Sequence, residues 1–210
     1  MYLTRMFLDT TKRAVMRALN DRNQLHGAIE RAFSGERQHP LWRLDTLRGE
    51  TCLLLLSEDE PDLTEAARQF GREDAWETRR YDPLLERIQD GTKWRFRLTA
   101  NPTYSVPAPG EKRGKVQAHI TPQHQSEWLM HQAERNGFSV KPEVFQVSES
   151  RWCQFYKGAD NNRRVSLLAV TFEGVLTVTD AERFRETLCG GIGRGKAYGM
   201  GLLTVVRCDE

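Results

Sequence analysis

The sequence predicts an α+β protein of two tandem ferredoxin-like (RRM-like, βαββαβ) domains, residues 1–105 and 116–210, joined by a linker at 106–115. Three observations predict it. Short apolar or alternating runs are interleaved with longer runs of helical periodicity. The order strand, helix, strand, strand, helix, strand comes up twice, as a repeat of topology without residue-level repetition. Between the two series, "NPTYSVPAPGEKRGK" at 101–115 carries three prolines and two glycines, a stretch that suits a linker or long loop.

In the first series, "YLTRMFL" at 2–8 alternates as a strand does. A helical region spans 11–33, with a break near Asn20-Asp21. "LWRLDTLR" and "TCLLLLS" read as a hairpin across Gly49, and 62–70 and 74–88 as helical. "TKWRFRLTA" closes the unit as a strand, with Trp94, Phe96 and Leu98 on one face and Lys93, Arg95 and Arg97 on the other. In the second series, "VQAHI" opens as a strand and "PQHQSEWLMHQAERNG" is a helix stopped by Gly137. "FSVKPEVFQVS" and "RWCQFYK" are strands, and "RRVSLLAVTFEG" with "VLTVTD" makes a hairpin around Glu173-Gly174. A helix at 181–189, capped by Asp180, and a strand at 202–206 finish the series.

Composition excludes several classes. The chain has 210 residues, 29% charged and 39% hydrophobic, an ordinary globular balance. No apolar run approaches the ~20 residues that span a bilayer. The N-terminus has no apolar core after a basic start, so a cytoplasmic protein without a membrane partner is expected. Cys52, Cys153, Cys189 and Cys208 are far apart and form neither a CxxC pair nor a disulfide framework. Net charge is +2 but uneven: residues 58–90 hold 5 basic and 11 acidic residues, residues 91–115 hold 6 basic and 1 acidic. A small total therefore leaves room for a basic face.

The stretch "GGIGRGKAYGMGLLTVV", from Gly190 to Val206, is one residue short of a P-loop. Ala197 stands where a Ser or Thr would hold magnesium. A helix precedes the loop and a strand follows it, so the helix C-terminus, which repels phosphate, faces the loop. What remains is a loop of Gly191, Gly193, Gly195, Gly199 and Gly201 carrying Arg194, Lys196 and Tyr198. Glycines allow close backbone approach, and two cations beside an aromatic suit a sugar-phosphate chain with an unstacked base. A glycine-rich connection with solvated cations is the plainer alternative.

The helix "DRNQLHGAIERAF" is the other informative segment. Asp21 is its N-cap, and Leu25, Ala28, Ile29, Ala32 and Phe33 form its buried stripe. His26 borders that stripe, with Arg22, Asn23 and Glu30 on the same polar side. A histidine there suits proton transfer near neutrality, and Arg22 a phosphate; a half-exposed surface histidine is the alternative. His39, His119, His124 and His131 lack comparable surroundings. No nucleophile motif and no carboxylate set for a metal site can be assembled.

"MYLTRMFLD", "NQLHGAIERAF", "LWRLD", "RFRLTANPT", "EKRGK…EWL" and "GIGRGKAYGMGLLTV" occur in that order. Together they resemble the CasE family of CRISPR-associated endoribonucleases of type I-E systems, in the RAMP superfamily, over essentially the whole chain. The resemblance implies cleavage of CRISPR precursor RNA within each repeat, 3′ of a stem-loop. It implies no metal or other cofactor, a 2′,3′-cyclic phosphate product, and retention of the product in the Cascade complex by a chain that is monomeric when free. The family's catalytic histidine falls on His26. The family often has Tyr three residues earlier, where this chain has Asn23; Tyr198, Lys196 and Lys157 are the candidates to assist His26 instead. Expected RNA contacts are Arg22, Lys112, Arg113, Lys115, Lys157, Arg163, Arg164, Arg194, Lys196 and Tyr198. A non-catalytic RNA-binding subunit of the same superfamily, and a ferredoxin-like protein of small-molecule or purely structural role, are the rival readings.

Overall fold

The computed structural model describes residues 1–35, 38–107, 114–157 and 163–208. The chain begins with β1 (Tyr2–Leu8), α1 (Arg13–Asn20) and α2 (Arg22–Glu30). The hairpin β2 (Leu41–Leu47) and β3 (Glu50–Ser57), then α3 (Thr64–Phe70) and β4 (Gly71–Arg80), complete a four-stranded sheet of order β2-β3-β1-β4. The expected helix break falls at Asp21, whose carboxylate accepts the Asn23 N–H at 3.2 Å. One face of the sheet packs Met6, Trp42, Leu53 and Leu55 against Val15, Leu25, Ile29 and Phe70 of the helices.

Residues 74–80, expected to be helical, are strand instead, and only the short α4 (Asp82–Leu85) follows. "GREDAWETRR" has no apolar stripe because β4 needs none: among the described residues it is an edge strand paired with β1 alone. Arg5 bonds Glu77 across that pair at 2.9 Å. Tertiary pairing overrides local propensity there.

The larger correction concerns β5 (Lys93–Ala100), which the sequence reading puts at the end of the first unit. It is a central strand of the second sheet. After it come β6 (Thr103–Val106), β7 (Lys115–Ala118), α5 (Pro122–Arg135), β8 (Phe138–Ser139), β9 (Phe145–Lys157), β10 (Arg163–Val178), α6 (Ala181–Gly190) and β11 (Leu203–Arg207). The second sheet runs β11-β5-β10-β8, with β9 also paired to β10. The second βαββαβ series is therefore β5, α5, β8 with β9, β10, α6 and β11, matching the tandem ferredoxin-like class. Trp94, Phe96, Leu98 and Ala100 are at most 4% exposed, the burial of a strand with neighbours on both sides. Among the described residues, the expected opening strand at "VQAHI" pairs with β6 alone, as a two-stranded ribbon inserted into the series. A division at 106–115 thus falls inside the second series and does not separate the sheets.

β10 runs unbroken for 16 residues through the expected turn. Gly174 serves close approach: a Cβ there would collide with the Val144 carbonyl oxygen and with Phe145 Cα. Gly137 does end α5, at φ 76°.

The sheets meet through apolar packing and the buried Arg43–Asp45 ion pair. Leu41 and Leu56 of the first sheet join the core formed by Phe172, Leu176, Phe184 and Leu188. Arg43, 2% exposed, donates to the Arg97 and Leu202 carbonyls at 2.8 and 2.9 Å and to Asp45 at 2.7 Å. Burial pulls its pKa below the ordinary arginine value, and the adjacent Asp45 carboxylate opposes the shift. Among the described residues, no helix is long and apolar enough to cross a membrane.

Candidate active site and nucleic-acid interface

Two segments far apart in sequence converge here: the start of α2 and the glycine-rich loop after α6. His26 lies on the exposed side of α2, its side chain 27% accessible. Glu30, one turn on, places Oε1 3.6 Å from His26 Nε2, within ion-pair range of a protonated imidazole. Opposite stands Tyr198, with ring centroids 6.1 Å apart and planes tilted by 60°. Phe155 of β9 packs behind Tyr198 at 4.6 Å.

The loop is held by backbone conformation and by buried donors. Gly191, Gly193, Gly195, Gly199 and Gly201 have φ of 71°, 78°, 85°, 77° and 91°. At Gly199 both reasons for glycine apply, since a Cβ would also meet the Trp42 ring at 2.7 Å and Arg22 Nη1 at 2.9 Å. Trp42 Nε1 donates to the Ala197 carbonyl at 3.3 Å. Residues Lys196–Tyr198 form a single 3-10 turn. The loop therefore presents Tyr198 in one place.

Arg22 departs from expectation. It is 2% exposed, and Nη1 donates to the Tyr198 carbonyl at 2.8 Å. Its pKa is lowered, first by burial and then by the charge of Arg151, while Cys153 and Glu149 oppose the shift. The guanidinium anchors the loop under Tyr198 instead of meeting solvent, because the first turn of α2 is packed against the loop and β9. Lys196 donates Nζ to the Gly190 carbonyl at 2.5 Å, placing a cation on the C-terminus of α6. Arg194 is exposed and pairs by backbone with Asn101. Arg164 is exposed on β10 and bonds Gln154 at 2.5 Å. Lys115 is exposed on the β6–β7 ribbon. Lys112 and Arg113 lie outside the described residues, as do the side chains of Lys157 and Arg163.

Sequence reading missed the partners on β9. Asn23 Nδ2 donates to the Tyr156 carbonyl at 2.6 Å, tying α2 to β9. Trp152 and Tyr156 are 50% and 54% exposed on that strand, whereas Cys153 and Phe155 face inward. The alternation in "RWCQFYK" carried the signal for the two faces; no sequence pattern announced the Asn23 contact. Elsewhere, His119 packs on Tyr104 at 4.7 Å and on His124 at 5.8 Å, and burial then His124 lower its pKa. Among the described residues, no group of three or more His, Cys, Asp and Glu side chains could hold a metal ion.

The sequence model described as "CRISPR associated protein" matches residues 1–207. The chain is 32% identical over 218 aligned positions to the CRISPR-associated endoribonuclease Cse3 of Thermus thermophilus, covering 98% of this chain and 99% of that protein. A structure of CRISPR endoribonuclease Cse3 bound to a 19-nucleotide RNA superposes with a TM-score of 0.83 at 30% identity, over 98% of this chain and all of that one. A Thermus thermophilus Cse3 structure with an RNA representing a pre-cleavage complex gives 0.82 at 30% identity, over 98% of each chain.

Proposed function

Because the chain belongs to the CRISPR-associated protein family whose model spans residues 1–207, we propose that it is an endoribonuclease that processes CRISPR RNA. Its substrate is the precursor transcript, cut within each repeat on the 3′ side of a stem-loop. The observation that carries this reading is the meeting of His26 and Tyr198 at 6.1 Å, in a chain 32% identical to an endoribonuclease of that system.

The step is transesterification. The ribose 2′-oxygen bonds to the adjacent phosphorus and the bond from phosphorus to the 5′-oxygen breaks. The products are a 2′,3′-cyclic phosphate and a free 5′-hydroxyl. One proton leaves the 2′-oxygen and one reaches the departing 5′-oxygen; His26 moves one of them, and the Tyr198 phenol opposite it is the second proton-transferring group of this reading. Glu30 orients the imidazole. Arg194 and Arg164 supply cations along the RNA backbone, while the exposed rings of Trp152 and Tyr156 offer stacking surfaces. The product stays bound and is delivered to the other subunits of a Cascade complex.

One observation favours a passive RNA carrier: residue 23 is Asn, and its amide is already bonded to the Tyr156 carbonyl. The test is cleavage of the cognate repeat hairpin in EDTA by wild type and His26→Ala. A companion substrate has 2′-deoxyribose 5′ of the scissile phosphate. Wild type should cut only the all-ribose RNA, and His26→Ala should bind it but lose about 10²- to 10⁴-fold in rate. Tight binding without cutting by wild type would establish the carrier.

A further inference from the structure

Asn23 stands three residues before His26, where the resembling family often has Tyr. Its side chain is committed elsewhere: Nδ2 lies 2.6 Å from the Tyr156 carbonyl oxygen. That carbonyl belongs to a strand whose side chains point two ways. Tyr156 points outward, 54% exposed, and Phe155 points inward, 4.6 Å from Tyr198. Strand β9 therefore touches both sides of the site, α2 through Asn23 and the glycine-rich loop through Phe155. Tyr198 already supplies an aromatic phenol opposite His26, from the loop and not from α2.

We infer that Asn23 is a positioning residue that locks the His26 helix to strand β9, so that RNA seated on the outer face of β9 is held in register with His26. The inference rests on the proposed RNA cleavage. A loose α2 would still fold on its apolar stripe, but His26 would sample positions relative to the scissile phosphate. Misplacement of that kind lowers the rate of the bound complex and leaves affinity nearly unchanged.

Three substitutions separate this role from others. Asn23→Asp keeps size and favours the helix N-terminus electrostatically, but it cannot donate to a carbonyl. Asn23→Gln keeps the amide donor. Asn23→Tyr restores the residue common in the family. Single-turnover cleavage at saturating repeat RNA should fall about 10- to 100-fold in Asn23→Asp, with the Kd for 2′-deoxy-blocked RNA within about twofold and partial recovery in Asn23→Gln. Hydrogen exchange gives a readout without cleavage: blocked RNA should slow exchange of the α2 amides in wild type and fail to do so in Asn23→Asp.

Unchanged cleavage in Asn23→Asp, or equal protection of α2, overturns the inference while leaving the proposed function standing. Cleavage by Asn23→Tyr faster than wild type overturns it too, because residue 23 would then act on the substrate directly. If wild type binds RNA, protects α2, and does not cut, the coupling stands and the cleavage reading falls. If wild type binds no RNA, both fall.

Discussion

Gly199→Ala tests whether the glycine-rich loop is built to hold Tyr198. Residue 199 has φ 77°, and Gly91, in a turn remote from the site, has φ 76°. An alanine in left-handed backbone costs about 1–2 kcal/mol at either position. The surroundings differ. A Cβ at 91 meets nothing within 4 Å, whereas one at 199 lies 2.7 and 2.9 Å from Trp42 ring carbons and 2.9 Å from Arg22 Nη1. Trp42 is 1% exposed and Arg22 2%, so neither has free space to retreat into. Forcing a methyl into such a site adds about 1–3 kcal/mol. Urea titration should therefore show Gly91→Ala losing about 1–2 kcal/mol and Gly199→Ala about 2–5 kcal/mol. Cleavage of repeat RNA at full occupancy should drop in Gly199→Ala and stay at the wild-type rate in Gly91→Ala, because only the former moves Tyr198. Equal stability losses in the two variants would refute the reasoning, since the packing of Trp42 and Arg22 would then place no demand on residue 199.

Asp45→Ala leaves Arg43 buried without its carboxylate and should cost about 3–5 kcal/mol, read as a fall in Tm, with Arg43→Met/Asp45→Leu together recovering much of it. Arg194→Ala should reduce the salt dependence of RNA binding by about one phosphate contact, whereas Arg22→Gln should leave that slope unchanged and lower stability. His119 has a folded pKa below its ordinary value of about 6.5, so the unfolded chain takes up the proton first. Stability should fall as pH drops through about 6.5 toward the folded pKa, and His119→Gln should flatten that part of the Tm–pH curve.

Most of the local structure was legible in the sequence. The break at Asp21, the apolar stripe of α2, the stop at Gly137 and the strand-forming alternation at 93–100 all follow from short-range rules of capping, periodicity and backbone freedom. His26 and the glycine-rich loop also stood out, because their residue types are informative within a few positions. What short-range rules do not contain is which strand pairs with which. The 93–100 strand looks the same whether it closes one sheet or centres the next, and the charged 71–80 segment becomes a strand only because β1 offers it an open edge. The site follows the same division. Sequence marked His26 and Tyr198 separately, 172 positions apart, while their approach, the burial of Arg22 beneath the loop and the Asn23–Tyr156 bond arise only when α2, the loop and β9 pack together. Arg22 shows the reason: its charge suggested phosphate, but the exposure of a side chain on a helix is set by what packs over it, and that element lies more than a hundred residues away.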